Sequence, residues 1–157
     1  MAKTTRATQF LARLGVAFSV HAYEYDPDAE SIGLQAAEAL GEPPSRVLKT
    51  LMAELDGRPV CVVLPSDREV SMKKLAAALG GKSAAMMKPA EAERVTGYHV
   101  GGISPFGQKR LVPTAMELAA LSEPHVFINA GQRGLQLRLD PNDAARAMKA
   151  VVAALGA

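Results

Sequence analysis

Cysteine is almost missing from this 157-residue sequence: Cys61 stands alone, so no disulfide can close within the chain and no pair of thiols offers the spacing of a zinc site. A reducing compartment suits such a chain. No run of about 18 apolar residues could span a membrane, and the polar stretch from Met1 to Arg13 lacks the apolar centre of a signal peptide. A cytoplasmic location is therefore expected. Charge of one sign is not in excess either. With 18 basic and 16 acidic residues the formal charge is only +2, too little to argue a nucleic-acid partner from composition. Lys73, Lys74, Lys82, Lys88, Lys109, Arg110 and Arg133 leave room for a local phosphate-binding rim, although scattered surface cations are commonplace. His21, His99 and His125 form no H-x-x-x-H pair, no serine occupies a G-x-S-x-G elbow, and neither a P-loop nor a dinucleotide fingerprint occurs. No metal and no cofactor is expected.

What is present is apolar material, 48% of the residues, enough for one core. No repeat, low-complexity tract or linker divides the chain, so residues 1–157 are expected to form a single domain. Phe10, Leu11 and Leu14 follow Thr4 and Thr5 at helical spacing, with Gly15 as a stop. Residues 18–25 read as a strand, and Asp26-Pro27-Asp28 as a turn. Ser31 can cap a helix running to Leu40, ended by Gly41 and by Pro43-Pro44. A strand from Arg46 to about Leu55 turns at Asp56-Gly57 and returns through Pro59 to Leu64; the return is apolar on both faces and should be central. Ser71 can cap a helix to Leu79, a short strand near Ala84 to Met87 follows, and Pro89 opens another helix. Residues 96–107 read as a loop, with a short strand around Arg110 to Val112. His125–Ala130 and Leu135–Leu139 form a hairpin across Gly131-Gln132-Arg133-Gly134; the second strand alternates Leu135, Leu137 and Leu139 against Gln136 and Arg138, as a half-exposed strand should. Asp140-Pro141 starts the last helix. The sum is an α/β domain with a mixed, largely hairpin-connected sheet.

Two features could carry chemistry. Alternation puts Lys49 on the strand face of Val47, Leu51, Ala53 and Leu55; if that face points inward, a buried ammonium needs a polar cavity or a path to water. Leu48 and Met52 could equally face the core and leave Lys49 in solvent. The second feature is the run from Thr96 to Gly107, where Gly101 and Gly102 let the backbone approach a ligand and aim amide N–H groups at an oxygen. An ordinary tight loop has the same composition. Cys61, in the most apolar strand, reads as a small buried hydrophobe, and Met86-Met87 as core. Tyr23 and Tyr25 either line a site or pack at a sheet edge.

Taken together, residues 33–41, Arg46-Val47-Leu48-Lys49-Thr50-Leu51, the run from Thr96 to Gly107 and Gly131-Gln132-Arg133-Gly134 resemble the YbaK family of free-standing aminoacyl-tRNA deacylases, in order along nearly the whole chain. Within that family the sequence looks like a Cys-tRNA(Pro) deacylase, similar in fold to the editing domain inserted in bacterial prolyl-tRNA synthetases. The resemblance implies a compact, largely antiparallel, barrel-like sheet surrounded by helices. It places the essential lysine at Lys49, Thr50 beside the substrate, Tyr23 on the pocket wall, and the loop with Gly101, Gly102, Ser104 and Pro105 around the terminal adenosine and ester. Ile32 stands where the family carries an aromatic residue, and Asn129 where serine is common. The implied partners are aminoacyl-tRNA, Cys-tRNA(Pro) first and Cys-tRNA(Cys) as a further candidate, and prolyl-tRNA synthetase. The implied reaction is attack of the substrate's own thiol on its ester. Rival expectations are an Ala-tRNA(Pro) deacylase using a bound water, and a non-catalytic module that holds tRNA or a synthetase.

Overall fold

Local chemistry sets the ends of most elements in the computed structural model, which describes residues 4–29 and 31–157; the polar start before Thr4 lies outside them. Helix α1 (Arg6–Arg13) begins at Thr5, whose hydroxyl accepts from the Thr8 amide at 3.1 Å while the Thr5 amide donates to the Thr8 hydroxyl at 2.8 Å, a reciprocal cap. Strand β1 (Ser19–Ala22) ends earlier than the sequence suggests, so Tyr23 and Tyr25 lie beyond its end. Helix α2 (Ile32–Leu40) is capped by Ser31 and closed by Gly41 in the left-handed conformation. Strands β2 (Leu48–Leu55) and β3 (Arg58–Pro65) form a hairpin whose turn residues Asp56 and Gly57 both take positive φ, 51° and 81°.

Helix α3 (Met72–Ala78), strand β4 (Ala84–Met86) and helix α4 (Pro89–Thr96) follow as expected from their cap and proline signals. No strand forms at Arg110–Val112, where Leu111 is 87% exposed. Strand β5 (Thr114–Glu117) starts instead beyond Pro113, where every residue is buried between parallel neighbours, and a short 3-10 turn follows it. Strands β6 (Val126–Asn129) and β7 (Leu135–Leu139), helix α5 (Pro141–Ala147) and strand β8 (Val151–Ala153) complete the chain.

The strands make a mixed α/β architecture of two sheets, ordered β1-β7-β6 and β4-β2-β3-β5-β8, and they do not close into a barrel. A parallel bridge between Val47 and Phe127 joins them. Most pairs are antiparallel, while β3-β5 and β5-β8 are parallel.

Both faces of β2 and β3 are covered, which settles the orientation that alternation left open. Leu48, Met52, Cys61 and Val63 join a larger core with Leu11, Phe106, Met116, Ile128 and Leu137. Ala53, Val60, Val62 and Leu64 join a second cluster with Leu75 and Leu155, against which Leu51 and Leu55 pack. Lys49 therefore lies on a face that is inward without the opposite face being outward. Two further expectations are corrected. Met87 is buried but Met86 is exposed, because Met86 ends the edge strand β4 and Met87, the next residue, points to the opposite side. Gln136 is only 4% exposed, because β7 is the middle strand of its sheet and the side chain faces the cavity described below rather than bulk water.

Candidate active site

The two sheets meet at the Val47–Phe127 bridge and then part. In the fork lies a cavity of about 300 Å³ walled by residues 48–52 of β2, by Asn129 and Gln136 of the smaller sheet, by Ser31, Ile32 and Gly33 at the start of α2, by Met86, Met87, Pro89 and Ala92, and by Val100, Gly101 and Ile103. Strand β4 pairs with β2 only from Ala53 to Leu55. The half of β2 that walls the cavity thus keeps one edge without a strand partner among the described residues.

Helix α2 can come this close because Gly33 has no side chain: a Cβ there would lie 2.9 Å from that of Ser66. Ser66 is itself fixed, its amide and hydroxyl both donating to the Val47 carbonyl. The N-terminal end of α2, where the Ser31 hydroxyl accepts from the Leu34 amide at 3.3 Å, brings the positive pole of the helix dipole to the cavity wall. Lys49 adds a full charge. Its side chain is 19% exposed and its Nζ stands 3.7 Å from a carboxylate oxygen of Glu69, itself 88% exposed. Such a solvent-facing pair is worth about 0–1 kcal/mol, so the ammonium is held loosely and can exchange its partner for a ligand anion.

The glycine loop is fastened to the smaller sheet by Asn129. The Asn129 amide nitrogen donates to the Gly101 carbonyl at 3.3 Å, and its oxygen accepts from the amides of Gly131 at 2.7 Å and Gln132 at 3.2 Å. Gly101 has φ of 90°, and a Cβ there would lie 2.8 Å from the Tyr25 hydroxyl, so both conformation and space require glycine. The two adjacent glycines differ in what their amides can do. Gly102 donates to the His99 carbonyl at 2.8 Å and is spent on the turn, whereas the Gly101 N–H has no acceptor among the described residues. Beside Gly101, the Arg133 guanidinium lies over the Tyr25 ring and its Nε donates to the Val100 carbonyl at 2.9 Å.

Of the residues singled out from the sequence, Lys49, Thr50, Ile32, Gly101 and Asn129 wall one cavity. Gly102, Ser104, Pro105 and Tyr23 stand outside its lining. Ser104 is fully buried, its hydroxyl accepting from the Phe106 amide at 3.2 Å, and it shapes the loop from below. Tyr23 packs against the cluster of Ala36, Ala37, Val47 and Phe127; burial pushes its phenol pKa up, partly countered by the nearby Gln136 side chain. Sequence reasoning missed Gln136, which alternation presented as a solvent-facing residue. Cys61 lies at the bottom of the larger core, and burial pushes its thiol pKa up to about 12, so it stays protonated and inert. Among the described residues no histidine and no cysteine walls the cavity, so its lining offers no hydroxyl–imidazole pair.

Residues 26–147 match the aminoacyl-tRNA editing domain family. A protein of Enterococcus faecalis named a Cys-tRNA(Pro)/Cys-tRNA(Cys) deacylase, EbsC, is 34% identical over 141 residues, which span 87% of this chain and 84% of that one. The proline–tRNA ligase of Acidithiobacillus ferrooxidans is 32% identical over 87 residues, 55% of this chain but only 15% of the ligase. A solved structure described as a trans-editing enzyme for prolyl tRNA synthetase superposes with a TM-score of 0.80 at 19% identity, covering 99% of each chain.

Proposed function

The chain belongs to the aminoacyl-tRNA editing domain family and is an aminoacyl-tRNA deacylase, and from that premise we propose that its substrate is cysteine wrongly esterified to tRNA(Pro). The observation that carries the proposal is one cavity holding Lys49, Thr50 and the free amide of Gly101, with no histidine or cysteine among the described residues of its lining to act as base or nucleophile. The likeness to EbsC supports the amino acid.

A synthetase that accepts proline also admits cysteine, because a difference of about one methylene discriminates by only about 1–3 kcal/mol. A second sieve by size fails for the same reason, so a chemical feature of cysteine must do the sorting. Its thiol, with a free pKa of about 8.5, is a few per cent thiolate at neutral pH. In the proposed reaction the substrate sulfur attacks its own ester carbonyl. The carbon–oxygen ester bond breaks, the thiol proton ends on the ribose oxygen of the terminal adenosine, and the amino acid leaves as a cyclic thiolactone that water then opens. The protein supplies position and charge. Gly101 N–H faces the developing oxyanion, a contribution of about 3 kcal/mol per donor in other enzymes. Lys49, released from Glu69, holds the phosphate or ribose end of the adenosine, aided by the N-terminal pole of α2.

The deciding measurement is a panel of tRNA(Pro) charged with cysteine, alanine or proline, with Cys-tRNA(Cys) as a fourth substrate, run with and without prolyl-tRNA synthetase. Rapid loss of cysteine with proline retained is the expected result. Preferential loss of alanine would replace the thiol by a bound water as nucleophile. Single-turnover rates equal to those without protein on every substrate would leave only a binding role.

A further inference from the structure

Four buried side-chain atoms among the described residues lack any hydrogen-bond partner: Tyr23 OH, Gln35 Oε1, Thr50 Oγ1 and Gln136 Oε1. Folded interiors rarely leave such atoms unsatisfied. These are not scattered. Thr50 and Gln136 wall the same cavity from opposite sheets. The Tyr23 phenol lies near the Gln136 side chain without satisfying it, and packs on the cluster formed with α2, the helix that carries Gln35. Asn129, the other amide in the lining, has both ends engaged in tying the loops together. The Gln136 carbonyl oxygen can only accept, and among the described residues of the lining no aspartate or glutamate competes for what it would take.

We propose that Gln136, with the Thr50 hydroxyl on the facing wall of the same cavity, is a receptor for a hydrogen-bond donor of the substrate and so fixes the ester relative to Gly101. The inference rests on the deacylase reading. Lys49 and the start of α2 give the cavity a cationic side suited to an anion, whereas Gln136 and Thr50 give it a neutral accepting side. An aminoacylated adenosine has the matching polarity: a phosphate at one end, and donors at the other in the α-ammonium group and the free ribose hydroxyl. Those two donors share the chemistry the receptor recognises.

The experiment compares wild type, Gln136→Met and Gln136→Glu on three substrates: Cys-tRNA(Pro), the same tRNA acylated with the desamino analogue 3-mercaptopropionate, and Cys-tRNA(Pro) ending in 2′-deoxyadenosine. Gln136→Met keeps length but removes the acceptor, and is expected to lower kcat/KM on Cys-tRNA(Pro) by about tenfold to a hundredfold. Gln136→Glu keeps acceptor oxygens and is expected to restore most of the loss. If the methionine penalty vanishes on the desamino substrate, the donor received is the α-ammonium. If it vanishes on the deoxy substrate, the donor is the ribose hydroxyl. An unchanged rate for Gln136→Met on Cys-tRNA(Pro), or a penalty of equal size on all three substrates, overturns the receptor. Should Gln136→Met lose its circular dichroism signature, wild type alone decides, through inhibition by short aminoacyl-adenosine analogues with and without each donor; equal inhibition by all of them overturns it. These analogues also test the receptor if wild type deacylates none of the charged tRNAs, the separate result that would sink the deacylase reading itself.

Discussion

At the scale of single residues, the cavity joins a charge and a backbone donor whose removal should have different signatures. Lys49→Ala deletes a weak, solvent-facing pair with Glu69, so its effect on stability should stay within about 1 kcal/mol. Its effect on Cys-tRNA(Pro) deacylation should reach about a hundredfold if the ammonium meets charge in the transition state. Thermal melts and single-turnover rates on one preparation test both; a normal rate in a folded variant removes Lys49 from the site. Gly101→Ala should act through the backbone instead, since it strains a φ of 90° and drives a methyl toward the Tyr25 hydroxyl. A loss of at least about 1 kcal/mol of stability together with slower turnover is expected, measurable by denaturant titration beside the kinetic assay. Both residues were legible in the sequence, but the inequality between Gly101 and Gly102 was not. It depends on which amide the His99 carbonyl claims, a choice made by turn geometry rather than by residue type.

At the scale of elements, what could be read was what neighbouring residues decide. Ser31, Ser71 and Asp140 cap the helices expected of them, and Asp56-Gly57 makes the hairpin, because capping and turn chemistry act within four residues. Strands β5 and β8 escaped notice because parallel pairing is non-local, and their short apolar stretches carry no turn signal. Gln136 misled for a related reason: period-2 alternation separates apolar from polar surroundings but cannot tell bulk water from a ligand cavity. Helix α2 offers the clearest test at this scale. Its N-terminal end walls the cavity only because Gly33 lies against Ser66, so Gly33→Ala must push the helix or Ser66 aside. Deacylation should weaken, mainly through KM, while far-ultraviolet circular dichroism stays unchanged. An alanine variant with native KM would show that α2 does not shape the substrate-binding wall.

At the scale of the whole molecule, the five-stranded sheet is locked to the tail of the chain by Glu117. This carboxylate is 2% exposed, accepts from the amides of Ala119, Leu155 and Gly156, and has Arg68 at 3.8 Å. Burial alone would push its pKa up, but the three amides and Arg68 outweigh it and hold the pKa below the ordinary carboxylate value. A depressed pKa means the fold favours the ionised form. The stabilisation is therefore complete above the unfolded value of about 4.3 and fades as pH falls through the lower folded value. Melting temperatures measured down the acid range should drop less steeply for Glu117→Gln than for wild type, with the variant already less stable at neutral pH; parallel curves would exclude Glu117 as an acid-sensitive group.

The fork between the sheets has a consequence for how an empty protein behaves in solution. Near Lys49 and Thr50 the free edge of β2 has no strand as its partner among the described residues. Deuterium should enter those amides faster than the amides facing β3, and a bound acylated adenosine, by expelling the water that carries the isotope, should slow that entry along one side of a single strand.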